Sequence, residues 1–283
     1  MMNPLTDRFG ICSWSLHPKT PQDLIAGLQA VGLRKVQLAL NPLVQNPAVW
    51  GQAPARLAQA GISIVSGMFG TAKENYATLE TIRQTGGFVP DATWPDNWKH
   101  IQTIATVAGD LGLQCVSGHA GFIPPEAGSE AFRKLSQRVG QVADCFAQRG
   151  LTLLLETGQE TATTLDQFLG ALQANGHTNV AVNFDPANMI LYDKGDPIAA
   201  LKQLMPHVRQ VHIKDARRTA TPGTWGKEVP VGQGEVDWPA FLKVLQAAGY
   251  QGNLVVEREA GQDRCGEIAL AVTTLSTLLG ANR

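Results

Sequence analysis

Residues 151–185 read LTLLLETGQETATTLDQFLGALQANGHTNVAVNFD, and this stretch decides the fold. It opens on an apolar run ending in Glu156 and closes on a second apolar run ending in Asp185. The 29 residues from one acid to the other make about one strand-plus-helix unit. Near-continuous apolar strands of this kind imply burial on both faces, as in a parallel sheet covered by helices.

The same pattern continues in both directions. Candidate strands are FGICSW (9–14), KVQLAL (35–40), ISIVSG (62–67) and LQCVSG (113–118), then LTLLLE (151–156), NVAVNFD (179–185), VRQVHI (208–213) and GNLVVE (252–257). Between them lie helical patterns, among them TPQDLIAGLQAVG, where Thr20 suits an N-cap and Pro21 the first helical position. The phrase "helix, Gly, strand" recurs at VGLRKVQL, AGISIV, LGLQCV, RGLTLLL and AGYQGNLVV, each Gly suiting a left-handed C-cap. Eight such units predict a single (β/α)8 TIM barrel spanning residues 1–283 as one domain. Two segments exceed ordinary loop lengths, residues 68–98 after the third strand and 214–236 after the seventh. At the C-terminal face of a barrel, such loops are expected to form substrate walls or lids.

Composition narrows the function classes. The 283 residues are 44% hydrophobic, enough for a large core, and carry a net charge of −1 with Lys and Arg scattered. No phosphate-backbone track is visible, so no nucleic-acid partner is expected. Cys12, Cys115, Cys145 and Cys265 lie far apart without a CxxC, which predicts reduced thiols and no disulfide frame. MMNPLTDRFG lacks the pattern of a signal peptide, and no apolar stretch is long enough to span a bilayer. A cytoplasmic protein without a membrane partner is the expectation.

Four polar residues carry the chemistry. Glu156, Asp185, His212 and Glu257 each sit at or just past a candidate strand end, the later gaps being 27 and 45 residues. In a parallel barrel these ends converge at one mouth. Any one of them alone is ordinary solvated polarity; four on consecutive strands predict a divalent metal site. Three carboxylates and one imidazole, with no thiolate, favour Mn²⁺, with Co²⁺ or Mg²⁺ close behind. Zn²⁺ suits the set less, because these ligands would fill its tetrahedral shell. Five- or six-coordination leaves room for substrate oxygens, and two glutamates could then move a proton at the carbon beside a carbonyl.

The ordered set Glu156, NFDPAN with Asp185, VHIKD with His212, VGQGEVDW, and VVERE with Glu257 resembles the sugar phosphate isomerase/epimerase group of the xylose-isomerase-like barrel superfamily. The resemblance covers essentially the whole chain. It implies a metal-dependent sugar isomerase or epimerase like the ketose 3-epimerases, with Glu156, Asp185, His212 and Glu257 as ligands. Glu156 and Glu257 would double as the acid/base pair. It further implies substrate contacts from His119 and Arg217, and from Asn188, where the ketose 3-epimerases carry a histidine. Glu235 in VGQGEVDW points inward in some members. Trp14 and Trp225 are candidate sugar-stacking walls. Lys214 and Asp215 could pair and orient the site, and GQG at 232–234 reads as a turn rather than a phosphate cradle.

Other readings stay open. The same residues suit a dehydratase or lyase acting on an inosose or a 3-keto-glycoside, since proton abstraction beside a carbonyl is common to both. The superfamily also resembles abasic-site endonucleases, but those need further histidines, and the ISIVSG strand end supplies none. A non-catalytic sugar-binding protein would not need two glutamates. A small sugar or sugar derivative is the expected partner, with homo-oligomers common among related barrels.

Overall fold

The computed structural model describes residues 5–281; Met1–Pro4, the start of the segment read for a signal peptide, lie outside them. Eight strands close a parallel barrel: β1 (Phe9–Cys12), β2 (Lys35–Ala39), β3 (Ser63–Met68), β4 (Cys115–Gly118), β5 (Thr152–Glu156), β6 (Val180–Phe184), β7 (Val208–Ile213) and β10 (Asn253–Val256). The order round the ring is β1-β10-β7-β6-β5-β4-β3-β2. The barrel is that of a TIM fold, and every strand follows its expected run. Within the loop after β7, β8 (Asp215–Arg217) and β9 (Lys227–Val229) form an antiparallel hairpin that the sequence reading did not foresee.

Local signals explain the helices. Thr20 caps Pro21–Ala30, accepting from the Asp23 amide while Asp23 accepts from Thr20 in a full capping box. The five glycines of the repeated phrase all have positive φ, +61 to +71°. Helix Glu130–Ala147 buries Phe132, Leu135, Val139, Val142 and Phe146 on one face. Each such side chain contributes about 1.5–3 kcal/mol. The run FGICSW departs from expectation at its end: Ser13–Leu16 is a 3-10 turn, closed by His17 at φ +48°. That turn carries Trp14 inward over the barrel mouth instead of along the strand direction.

The barrel interior is polar to an unusual degree. Gln37, Ser66, Ser117, Asn183, Gln210 and His212 are all buried there. They satisfy one another: Ser66 donates to Gln210 (2.6 Å), Gln210 to Asn183 (3.3 Å) and Gln37 to Ser117 (2.5 Å). Such a network fixes rotamers, because any partner that swings away leaves a buried group unpaired.

Among the described residues no helix is long and apolar enough to cross a membrane, and the four cysteines are free.

Candidate metal centre

Strands β5, β6, β7 and β10 are neighbours in the ring, so residues at their C-terminal ends meet. Glu156 ends β5, and Asp185 follows β6 as the N-cap of Pro186–Leu191, accepting the Asn188 amide at 3.0 Å. His212 lies within β7, and Glu257 follows β10, its own amide bonded to Ile213 O at 3.1 Å. One ligand atom from each of the four falls within 4.8 Å of every other, and all four residues are buried.

His212 shows which atom faces the centre. Its Nε2 lies 2.7 Å from Gln37 Oε1 and 3.0 Å from Asn183 Nδ2, an acceptor and a donor. The Gln37 amide cannot turn, since its Nε2 donates to Ser117 Oγ and Gly67 O. Asn183 Nδ2 has another acceptor in Glu156 Oε2 at 3.4 Å. The shorter contact therefore assigns the proton to Nε2 and leaves a lone pair on Nδ1. Nδ1 sits 3.4 Å from Glu156 Oε1, 3.4 Å from Glu257 Oε2 and 3.9 Å from Asp185 Oδ2. Both His212 Nδ1 and Asp185 Oδ2 are buried without a hydrogen-bond partner. Two orphaned lone pairs aimed at one point, among carboxylates, fit a cation.

The charge balance says the same. Three buried carboxylates face one buried ammonium, Lys214, which lies 3.0 Å from Glu257 Oε2 and 3.8 Å from Asp185 Oδ2. Uncompensated buried charge is costly, and a dication would neutralise the remainder. Burial, offset only in part by Lys214 and His212, leaves the Asp185 carboxyl raised to about 6. For Glu257 burial is outweighed by Lys214 and His212, which hold it well below the carboxylate range. For Glu156 burial is outweighed more narrowly, by His212 and His119. Burial opposes the imidazolium, yet Cys12 and the carboxylates draw the His212 value well above its ordinary one. A cation held at Nδ1 would take the place of the second proton that this negative field otherwise draws to the ring. Cys12 joins His212 and Glu257 in a second, three-residue grouping, but its Sγ lies 3.6 Å from the hydrogen-bonded Nε2 of His212, and burial pushes its thiol up to about 12.

A cavity of about 520 Å³ opens over these groups. Glu156, Glu257, His119, Asn188 and Trp14 all line it. Asn188 Nδ2 donates to Glu156 Oε1 at 3.0 Å, and Trp14 Nε1 donates to Glu257 Oε1 at 2.7 Å. His119 Nε2 lies 4.0 Å from Glu156 Oε2. Segment 68–98 contributes Glu74 and Tyr76 as a wall, and the loop after β7 contributes Trp225.

Two expected contacts are not brought there. Arg217 is exposed on β8 with its Nε donating to Gln233 O at 2.9 Å, and Glu235 is exposed, accepting the Arg218 amide at 2.7 Å. Neither lines the cavity: Arg217 lies on the hairpin strand β8, and Glu235 in the segment after the hairpin, its amide bonded to Ala216 O at 2.8 Å.

Lys214 is the residue whose placement differs most from the sequence reading. It does not pair with Asp215. Its parity was the missed signal: His212 and Lys214 are two apart and share the inward face, whereas Asp215 faces the other way. Asp215 is buried and collects five N–H donors, from Ala216, Gly232, Gly234, Val236 and the Trp238 indole. The GQG turn thus cradles an anion after all, the chain's own carboxylate. Gly234 is required there, since a Cβ would lie 2.0 Å from Asp215 Oδ1.

Beyond Glu156, burial pushes the Glu160 carboxyl up to about 8, Lys194 opposing it in part. The folded state therefore holds this proton more tightly than the unfolded chain, whose value is near 4.5. Glu160 contributes stability below pH 4.5 that is lost progressively as pH rises towards 8. Glu160→Gln is expected to raise Tm at pH 8.5 more than at pH 5; equal shifts at both would refute the assignment.

The comparisons agree with this architecture. A crystal structure described as a xylose isomerase domain protein from Planctomyces limnophilus superposes with a TM-score of 0.84 at 32% identity, over 92% of this chain and 94% of that one. Inosose dehydratase of Erwinia tasmaniensis is 26% identical over 167 residues, 52% of this chain and 54% of that protein. L-ribulose-5-phosphate 3-epimerase UlaE of Escherichia coli is 26% identical over 169 residues, 58% of this chain and 57% of that protein. The chain thus matches little more than half the length of those two relatives. A family profile described as xylose isomerase-like TIM barrel matches residues 26–276. The chain belongs to the xylose isomerase-like TIM barrel family.

Proposed function

We propose that this protein is a divalent-metal-dependent sugar isomerase or epimerase, working by proton transfer beside a carbonyl through an ene-diolate. The observation that carries the reading is the pair of orphaned lone pairs, on His212 Nδ1 and Asp185 Oδ2, set between Glu156 and Glu257 under one open cavity. The oxygen-rich donor set fits Mn²⁺ best, with Co²⁺, Mg²⁺ or Zn²⁺ as substitutes. Bound there, such a cation would polarise a substrate carbonyl and orient the neighbouring hydroxyl.

The chain's own residues do the rest. Glu156 and Glu257 stand three strand positions apart in the ring. One takes the proton from the carbon beside the carbonyl, and the other returns it. Return to the opposite face inverts the centre, and return to the neighbouring carbon isomerises the sugar. Trp14 and Lys214 hold the Glu257 carboxylate, and Asn188 holds that of Glu156. His119, Asn188 and Trp14 are positioned to contact substrate hydroxyls or ring faces. The relatives named as an epimerase and as a dehydratase support proton abstraction as the shared step. The dehydratase name keeps a second outcome in view, in which the returned proton goes to a departing hydroxyl and water is lost.

Metal removal tests the reading first. Dialysis against a chelator is expected to lower Tm, and Mn²⁺ to restore it. A cation at about 100 times its Kd would add about 2.7 kcal/mol. His212→Ala should abolish the Mn²⁺ response. An active protein that purifies without metal and ignores chelator would reject the site. Incubating a ketose and aldose panel in D₂O then separates outcomes by mass: deuterium gain without mass loss for an isomerase or epimerase, loss of water for a dehydratase.

A further inference from the structure

A second cavity, of about 490 Å³, adjoins the first. The two share Trp14, Ala39 and Glu259 along their common edge. Each alone is large enough for a small-molecule ligand, in the usual range of about 300–1,000 Å³. Trp14 is the partition. Its indole N–H is bonded to Glu257 on the metal side, while the same residue lines the second cavity. Beyond the shared edge the walls are the rings of Pro18, Pro42, Trp50 and His17, with Ser13 and Arg264.

The partition is built with strain. It rides on the short turn Ser13–Leu16, which closes on His17 in the left-handed region, His17 N donating to Trp14 O at 3.1 Å. A non-glycine residue in that conformation costs on the order of 1–3 kcal/mol and persists only where surroundings enforce it. Ser13 Oγ accepts the Ala39 amide at 2.9 Å, which ties the turn to the strand carrying the shared edge.

The charges at the rim decide what kind of occupant fits. Arg264 is committed to backbone carbonyls, donating to Arg258 O at 3.1 Å and also to Glu259 O. Glu259 places a carboxylate at the junction, accepting from Lys214 at 2.6 Å. A carboxylate at the entrance and a guanidinium already occupied disfavour a phosphate. Aromatic and proline walls favour a neutral ring with an apolar face.

We propose that the second cavity is a subsite for a neutral ring joined to the carbonyl-bearing sugar that sits over the metal centre, which makes the substrate a ring-substituted sugar that keeps its carbonyl rather than a free monosaccharide. This rests on the sugar-enzyme reading above and names its substrate class. A second sugar ring and an aromatic aglycone share the recognised chemistry.

Calorimetric titration of the Mn²⁺-loaded protein tests it. The probes are 4-nitrophenyl glucosides, maltose and cellobiose, set against methyl glucosides, which lack the second ring. Ring-bearing probes are expected to bind at least about tenfold tighter, a gain of about 1.4 kcal/mol. A preference for the nitrophenyl probes or for the disaccharides identifies the source of the ring. Pro42→Phe, which fills the cavity from one wall, is expected to bring the affinity ratio close to one. Pro18→Phe does the same from another wall should the first variant fail to fold. Equal affinities in the wild type, no binding of any ring-bearing probe, or an unchanged ratio in a folded variant overturns the subsite. Deuterium exchange on maltose, cellobiose and free ketoses, the probes that carry a carbonyl, reports separately on the proton-transfer reading. Exchange on free ketoses without a ring preference sinks the subsite alone, whereas a ring preference with no exchange on any carbonyl-bearing sugar sinks the chemistry alone.

Discussion

Replacing Glu257 by glutamine is expected to slow deuterium exchange at the substrate's carbon by about 10²–10⁴-fold, the usual contribution of a positioned acid or base. The carboxylate is held by Trp14 Nε1 at 2.7 Å and Lys214 Nζ at 3.0 Å, and it is buried, so it meets substrate in one orientation. Glutamine fills the same volume and can accept one of those bonds, but it cannot carry a proton. Glu156→Gln is expected to do as much, since Asn188 holds Glu156 in the matching position on the other side. Loss confined to turnover, with sugar affinity retained, is the signature of a missing transition-state interaction. A Glu156→Gln/Glu257→Gln double variant that exchanged deuterium at the wild-type rate would remove both from the mechanism. Thermal melts of each variant must stay cooperative for the comparison to count.

The second large effect is on stability. Asp215→Ala strips the acceptor from the amides of Gly232, Gly234 and Val236 and from the Trp238 indole. Unsatisfied buried donors cost about 1–3 kcal/mol each, partly relieved by water, so a loss of about 3–5 kcal/mol is expected from the urea midpoint. Asp215→Asn should fall between, since one oxygen remains while an N–H₂ now faces donors. A change under about 1 kcal/mol for alanine would show that segment 232–238 does not depend on this carboxylate. The consequence reaches the site, because Asp215 is the residue after Lys214 and anchors the loop that leaves β7.

Most of the fold was legible in local pattern. Apolar runs such as LTLLLE and NVAVNFD fall where β5 and β6 are found, and Thr20 caps its helix as its spacing with Asp23 demands. The meeting of Glu156, Asp185, His212 and Glu257 was legible as well, because parallel strands in a barrel must present their C-terminal ends together. Lys214 could have been read from alternation along β7 but was not. The exposure of Arg217 could not have been, since it depends on a hairpin made by two segments ten residues apart pairing antiparallel, nor that of Glu235, whose amide is bonded to Ala216 O.

Sequence by itself determined the eight strand runs, caps such as Thr20 and the four residues at the centre, because these follow from periodicity and from the closure of a parallel ring. The segment read as a loop over 68–98 instead holds helix Leu79–Thr85 and the start of Trp94–Asp110. Only the tertiary structure decided which atoms face one another. The Nδ1 lone pair of His212 is set by Gln37, 175 residues away, and the Glu257 carboxylate is held by Trp14, 243 residues away. The partition between two cavities exists only because the turn bearing Trp14 is carried across the mouth. Hydrogen-bond direction and cavity shape arise from contacts between distant elements, and no local pattern of residues encodes them.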